Sequence, residues 1–360
     1  MSFRFLICSL WSFLFVACSA AHCQPTESKS LKVAAVLGMS GDAAIHASHI
    51  RHGIELAADD LKARGWQLDI RYEDDQTDAA KTVSAMQLLV AKGYTFFIGP
   101  TWSFQVNAVR GLVAAHDLVA MVPAGSSEIN GGAIPGVFNL AVPRVYQLPQ
   151  VTDWLNRQGY RRAIILTPND PWGEVHRDVF KRAVKEASGS VVTEEQYDYG
   201  IDTASLRAIF LKAKAANPDV LIATGAAADM ANMIKARNAL GLKFAVIGTD
   251  DVKDALSAKL LTARDVAHEV FALEVTVGAA FKELYRKRFN QEPPIYSDCG
   301  YDALMLLAEA TQRTTGTPAA VRELFNSGGE LTGVSGPIIF DGQGDLRGGV
   351  FQISKVGASD

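Results

Sequence analysis

What most constrains this chain is a regular alternation of short apolar runs with longer amphipathic ones, kept up from residue 31 to beyond residue 240. Residues 31–37 read as a buried strand. Ile50, Ile54, Ala57 and Leu61 then recur at helical spacing within 49–61. Strand patterns come next at 68–72, 94–98 and 118–122, separated by helical patterns at 79–91 and 103–116. A second set begins after Pro143, with helices at 147–157, 173–187, 203–216 and 227–240 around strands at 162–167, 191–197, 219–224 and 244–248. A chain that alternates in this way covers a mostly parallel sheet with helices on both faces. The count suits two α/β lobes better than one very wide sheet. A strand-like stretch at 269–277 and helices at 279–289 and 300–313 are expected to return to the first lobe. No low-complexity linker separates the halves, so the expectation is two lobes packed about a cleft.

The first 23 residues differ from the rest. Arg4 precedes an apolar run from Phe5 to Ala17 broken only by Ser9 and Ser12, and small residues come after it. The order resembles a secretory signal peptide over 1–23 and implies an extracytoplasmic, periplasmic destination. Phe15-Val16-Ala17-Cys18 also resembles a lipoprotein processing site without its usual leucine, which leaves anchoring through Cys18 open. Removal of the leader leaves Cys299 as the one cysteine well inside the mature chain, so no disulfide framework is expected. The formal charge is -4, from 35 basic and 39 acidic residues, and nothing in it draws the protein to nucleic acid.

Cofactor motifs are missing. No Gly-x-Gly-x-x-Gly succeeds the first strand, no Gly-x-x-x-x-Gly-Lys-Ser/Thr occurs, and no Gly-x-Ser-x-Gly elbow is present, so neither a cofactor nor an enzyme activity is expected. His46, His49 and His52 lie three residues apart, which raises a metal site. The sequence places no carboxylate or cysteine beside them, so no metal is expected and a hydrogen-bonded helix start is the plainer reading. The acidic run Glu73-Asp74-Asp75 reads as a helix cap and a solvated sheet end.

The residues that point to a ligand come directly after strands. Trp102 and Ser103 come after the strand at 94–98, and Ala124, Gly125 and Ser126 after the strand at 118–122. Both loops fall at strand C-terminal ends, where hydroxyls and free amides can hold a carboxylate without metal. In the second lobe, Trp172 can cover an apolar surface and Asp250 can pair with an ammonium.

Taken in order, Gly53-Ile54-Glu55-Leu56-Ala57, Glu73-Asp74-Asp75, Ile98-Gly99-Pro100, Val122-Pro123-Ala124-Gly125-Ser126, Asp170-Pro171-Trp172-Gly173-Glu174, Gly300-Tyr301-Asp302-Ala303 and Gly336-Pro337-Ile338-Ile339-Phe340-Asp341 carry a family likeness. The chain resembles the type I periplasmic binding proteins, in particular the branched-chain amino-acid (Leu/Ile/Val) binding branch of ABC transporter substrate-binding proteins. The likeness implies two Rossmann-like lobes joined by three crossovers, with a first lobe of 31–143 plus 272–336 and a second of 144–271 plus 337–360. It also implies binding by lobe closure, a membrane permease as partner, and no catalysis.

Carried onto this chain, the family's carboxylate-binding serine falls on Ser103. Its alanine-alanine-threonine loop falls on Ala124-Gly125-Ser126, its ammonium-binding acid on Asp250, its cleft aromatic on Trp172 and a first-lobe aromatic on His46. Aspartate in place of glutamate, and the bulk of Trp102 beside Ser103, alter the expected ligand space. An aliphatic or aromatic amino acid is the first expectation. An aromatic carboxylate, an amide or urea-like solute, or ligand sensing without transport is the alternative.

Overall fold

The computed structural model describes residues 29–123, 125, 127–129 and 132–357, so the leader, Cys18, Ala124 and Ser126 lie outside the described residues. The first lobe opens with β1 (Ser30–Leu37), α1 (Ala44–Ala63), β2 (Gln67–Asp74), α2 (Ala79–Ala91), β3 (Phe96–Ile98), α3 (Ser103–Ala115), β4 (Val119–Val122) and β5 (Val137–Asn139). The strands form one parallel sheet in the order β2-β1-β3-β4-β5. The unbroken apolar run of β1 has a simple cause. Leu31, Val33, Ala35 and Leu37 enter the core on one face, and Ala34 and Val36 enter the core on the other.

After a 3-10 turn at Arg144–Tyr146, the second lobe contains α4 (Gln147–Gln158), β6 (Arg162–Pro168), α5 (Pro171–Glu186), β7 (Ser190–Tyr197) and α6 (Thr203–Lys214). It continues with β8 (Val220–Ala223), α7 (Ala227–Ala239), β9 (Ala245–Thr249), α8 (Asp251–Ser257) and β10 (Val270–Val275). The chain then supplies α9 (Ala279–Phe289), α10 (Ser297–Arg313), α11 (Pro318–Asn326) and the short hairpin β11 (Leu331–Gly333) and β12 (Gly336–Ile338) to the first lobe. It ends in β13 (Phe351–Lys355). The second sheet runs β13-β10-β9-β8-β6-β7, parallel except for β13, which closes one edge antiparallel to β10.

Two lobe boundaries differ from expectation. β10 pairs with β9 and β13 through Val275, so the 269–277 segment belongs to the second sheet and the chain leaves that lobe after 275 rather than at 272. Phe340 packs against Phe138 and Phe325 in the first-lobe core, so the last passage comes after 340 rather than at 337. An apolar alternation shows that a segment is a strand, but the sheet it joins is decided by partners distant in sequence. The acidic run also differs from its expected role. Asp78 caps α2 by accepting from the Lys81 amide, while Asp75 is fully buried and accepts from Thr77 and Thr82.

A close contact between α1 and α10 fixes the first-lobe rim of the cleft. A Cβ at Gly53 of α1 would lie 1.9 Å from the Ser297 carbonyl oxygen, and one at Gly300 of α10 would lie 2.2 Å from the Ile50 carbonyl oxygen. The two backbones therefore touch, and the middle of α1 is held against the start of α10. Among the described residues, no helix is long and apolar enough to cross a membrane.

Candidate functional site

The facing edges of the two lobes carry aromatic, hydroxyl and acidic side chains. On the first lobe, Trp102 precedes α3 with its backbone amide held by Gln105 Oε1 at 3.1 Å, and Ser103 is the first helical residue, 9% exposed. His46 lies in the first turns of α1. Tyr296, in a left-handed conformation at φ 64°, precedes α10 and sets its ring 5.2 Å from His46 at 87°. On the second lobe, Asp170 caps α5 by accepting from Gly173 at 2.7 Å and also receives the Tyr199 hydroxyl at 3.1 Å, which fixes Trp172 in the first turn.

Contacts run across the cleft. The rings of Trp102 and Tyr199 stack with centroids 5.6 Å apart at 21°. Trp102 Nε1 donates to His46 Nδ1 at 3.0 Å, and His46 Nε2 lies 3.2 Å from Asp251 Oδ1. Because an indole nitrogen only donates, His46 Nδ1 is the acceptor and Nε2 carries the proton given to Asp251. Thr249 donates to the other Asp251 oxygen at 2.8 Å. Burial alone would lower the His46 pKa, but the Asp251 hydrogen bond and the charges of Asp251 and Asp254 outweigh it and move it up. Beside it on α1, burial, with smaller contributions from His46 and His52, pushes His49 down to about 3. Burial likewise drives Asp254 up to about 7.

Two spaces lie between the lobes. A narrow one of about 50 Å³ is bordered by His46, Trp102, Ser103, Trp172, Tyr199 and Asp251. A larger one of about 500 Å³ lies toward the crossing strands and is bordered by Arg144, Gln147, Trp172, Asp250, Glu274 and Tyr296, among others. That volume is in the range of small-molecule sites. Trp172, Asp251 and Tyr296 border both.

The structure thus brings His46, Trp102, Ser103 and Trp172 to one wall system, while Asp250 borders only the larger space. The acids that share Ser103's space are Asp170, which caps α5, and Asp251, the neighbour of Asp250. Successive residues at a helix start diverge by roughly 100°, so Asp251 reaches the narrow space as well as the larger one, while Asp250 reaches only the larger. Burial, together with Glu274, Asp254 and Asp251, holds the Asp250 pKa well above the usual carboxylate range. Gly125 is buried where a Cβ would lie 2.7 Å from Val122 Cγ1 and 2.8 Å from Asn139 Oδ1, so this loop has no room for the alanine expected from the likeness. The roles given to Ala124 and Ser126 fall outside the described residues.

Arg144 carries no signal in the sequence. It succeeds Pro143 at the first passage between lobes and is only 4% exposed. Its guanidinium donates to the Val142 carbonyl at 2.5 Å and to the Tyr296 hydroxyl at 3.4 Å. Glu128 takes its backbone amide, and among the described residues no carboxylate pairs with the guanidinium. A lone arginine after a proline forms no motif, and only its burial marks it. The histidine triplet also separates: His52 bonds the Tyr285 hydroxyl at 2.8 Å and stacks on Phe289, away from His46.

The periplasmic binding protein family matches residues 30–357. The chain belongs to that family. A solute binding protein of an ABC transporter from Rhodopseudomonas palustris BisB5, solved with 3,4-dihydroxybenzoic acid, superposes with a TM-score of 0.78. It shares 22% identity and covers 91% of this chain and 93% of that one. A leucine-binding protein of Thermotoga maritima superposes equally well, at 0.78, with 18% identity and coverage of 92% and 97%. An uncharacterized protein of Methanocaldococcus jannaschii is 24% identical over 79% of this chain and 75% of its own length. The fold of this periplasmic binding protein is the two-lobed type I architecture, and family and fold are those of non-catalytic solute binders.

Proposed function

We propose that this periplasmic binding protein is the extracytoplasmic solute-binding component of an ABC importer, and that it closes on a small carboxylate, an aromatic one in preference to an amino acid. The observation that carries this reading is Arg144, a buried cation that borders the 500 Å³ space with no acid beside its guanidinium among the described residues. Burying a charge without a counter-charge is costly, so the position suits an anion that arrives with the ligand. Leucine, for which the Thermotoga maritima protein is named, and the dihydroxybenzoic acid bound in the Rhodopseudomonas palustris structure have a carboxylate in common. Trp172 and Tyr296 supply flat apolar faces for a ring. Ser103, His46 and Trp102 border the adjoining narrow space and would close beside the ligand. Residues 1–23 direct export, and the closed form is what a permease recognises.

The preference over an amino acid comes from the acids. Among the described acids that border the larger space, Asp251, Glu274, Asp298 and Asp302 already accept hydrogen bonds, so an ammonium would depend on Asp250 by itself. Asp250 borders the same space as Arg144, and that supports an amino acid as the second reading.

Calorimetry with benzoate, hydroxybenzoates, leucine and phenylalanine separates the two. Arg144→Met is expected to weaken binding of any carboxylate by about 2 to 5 kcal/mol. Asp250→Asn is expected to leave benzoates unaffected. Unchanged benzoate affinity in Arg144→Met overturns the anchor. Tight leucine binding lost in Asp250→Asn, with no benzoate binding, selects the second reading.

A further inference from the structure

His46 and His49 stand three residues apart on α1 of the first lobe, and Asp251 and Asp254 stand three apart on α8 of the second, so each pair shares a helix face. Across the cleft, His46 Nε2 lies 3.2 Å from Asp251 Oδ1 and 3.8 Å from Asp254 Oδ2, and His49 Nδ1 lies 3.9 Å from Asp254 Oδ2. One donor atom each from His46, Asp251 and Asp254 falls within a 4.8 Å span. A tetrahedral zinc ion with bonds near 2.0–2.1 Å separates its ligand atoms by roughly 3.3 Å, so these atoms need to move by about an ångström or less.

A second observation points the same way. Among the described residues, Asp254 Oδ2 and His49 Nδ1 are both buried without a hydrogen-bond partner, and the Asp254 side chain is 5% exposed. Two facing groups that lack partners call for something positive between them.

We propose that His46, Asp251 and Asp254 form a divalent-cation site of zinc type that exists only when the lobes are together, with His49, which lies outside their 4.8 Å group but 3.9 Å from Asp254, moving in as the fourth donor. Two imidazoles and two carboxylates suit zinc rather than magnesium or calcium, which take all-oxygen shells. Thr249 holds Asp251 from behind, as an outer partner of a ligating carboxylate does. Because each lobe contributes half the ligands, an ion there favours the closed form independently of the carboxylate ligand. Trp102 opposes loading. Its indole N–H holds His46 as the Nε2–H tautomer, whereas coordination through Nε2 moves that proton to Nδ1, against the indole donor. The indole must therefore release the ring when the ion enters.

The test uses tag-free, EDTA-treated protein titrated with zinc chloride alone, beside magnesium and calcium chloride. One zinc per chain is expected. Asp254→Asn and His49→Gln should each weaken it at least tenfold, and Trp102→Phe should tighten it several-fold by removing the opposing donor. Zinc should also lower the radius of gyration of the parent in solution scattering, but not that of Asp254→Asn. Melting curves confirm that the variants fold, and Asp251→Asn replaces any that do not. Zinc uptake that is absent, or unchanged in the acid variants, overturns the site, and weaker binding in Trp102→Phe overturns its geometry. Since no carboxylate ligand is present, failure here leaves the proposed function untouched.

Discussion

His46 in the first lobe and Asp251 in the second are joined by a hydrogen bond of 3.2 Å, the end of a chain that begins at the Trp102 indole. Both residues are mostly buried, with side-chain exposures of 12% and 3%. The bond therefore forms in a setting where water competes weakly, and it is made only with the lobes together.

Removing it should open the molecule. In EDTA, Asp251→Ala is expected to raise the radius of gyration of the ligand-free protein. It should also weaken ligand binding about tenfold or more, since a hydrogen bond to a charged group contributes about 1.5–3 kcal/mol. Scattering and calorimetry read the two effects, and an unchanged scattering profile would show that the latch does not govern closure.

Arg144 should trade stability for binding. An unpaired buried guanidinium is costly in the empty protein, so Arg144→Met is expected to unfold at the same or higher urea concentration than the parent. A clear drop in the midpoint would mean that the bonds to Val142 and Tyr296 outweigh the desolvation.

The pH dependence of stability should carry a mark of His176. Its Nδ1 donates to the Trp172 carbonyl at 2.9 Å, and burial, with the nearby Arg144 charge, pushes its pKa down from 6.5 to about 3. Between those values the unfolded chain binds the proton and the folded one does not. The stabilisation is thus complete above pH 6.5 and is lost as pH falls toward 3. At pH 5 the loss amounts to at most about 2 kcal/mol. His176→Asn, which keeps a donor for Trp172, should show a shallower decline from pH 7 to 5 in urea titrations. Parallel curves would rule out the assignment.

The α1–α10 contact leaves no room for a methyl group. Gly53→Ala places a carbon 1.9 Å from the Ser297 carbonyl oxygen, so a loss of at least about 2 kcal/mol is expected in equilibrium unfolding. A variant with wild-type stability would show that the helices separate easily.

Much of the architecture is legible in the sequence because local patterning reports local structure. Val33 and Ala34 serve opposite faces of β1, and that requirement alone makes 31–37 an unbroken apolar run. The pattern at 269–277 marks a strand, and a strand forms there, but in the other lobe, since nothing in Val270 or Leu273 names β9 or β13 as neighbours. Ser103 and Trp172 are marked by their places after strands. Arg144 has no such mark, because a guanidinium is ordinary until it is buried without a partner.

The order of apolar and polar residues by itself determined two α/β lobes, the loops at their facing edges and the family to which they belong, because periodicity and motif spacing are properties of neighbours along the chain. Tertiary structure alone decided that Asp251 rather than Asp250 meets the Ser103 wall. It also decided that His46 and His49 face carboxylates more than two hundred residues away, and that Arg144 borders the cavity. Those outcomes depend on helix phase and lobe approach, which are set by packing across the cleft and leave no local trace.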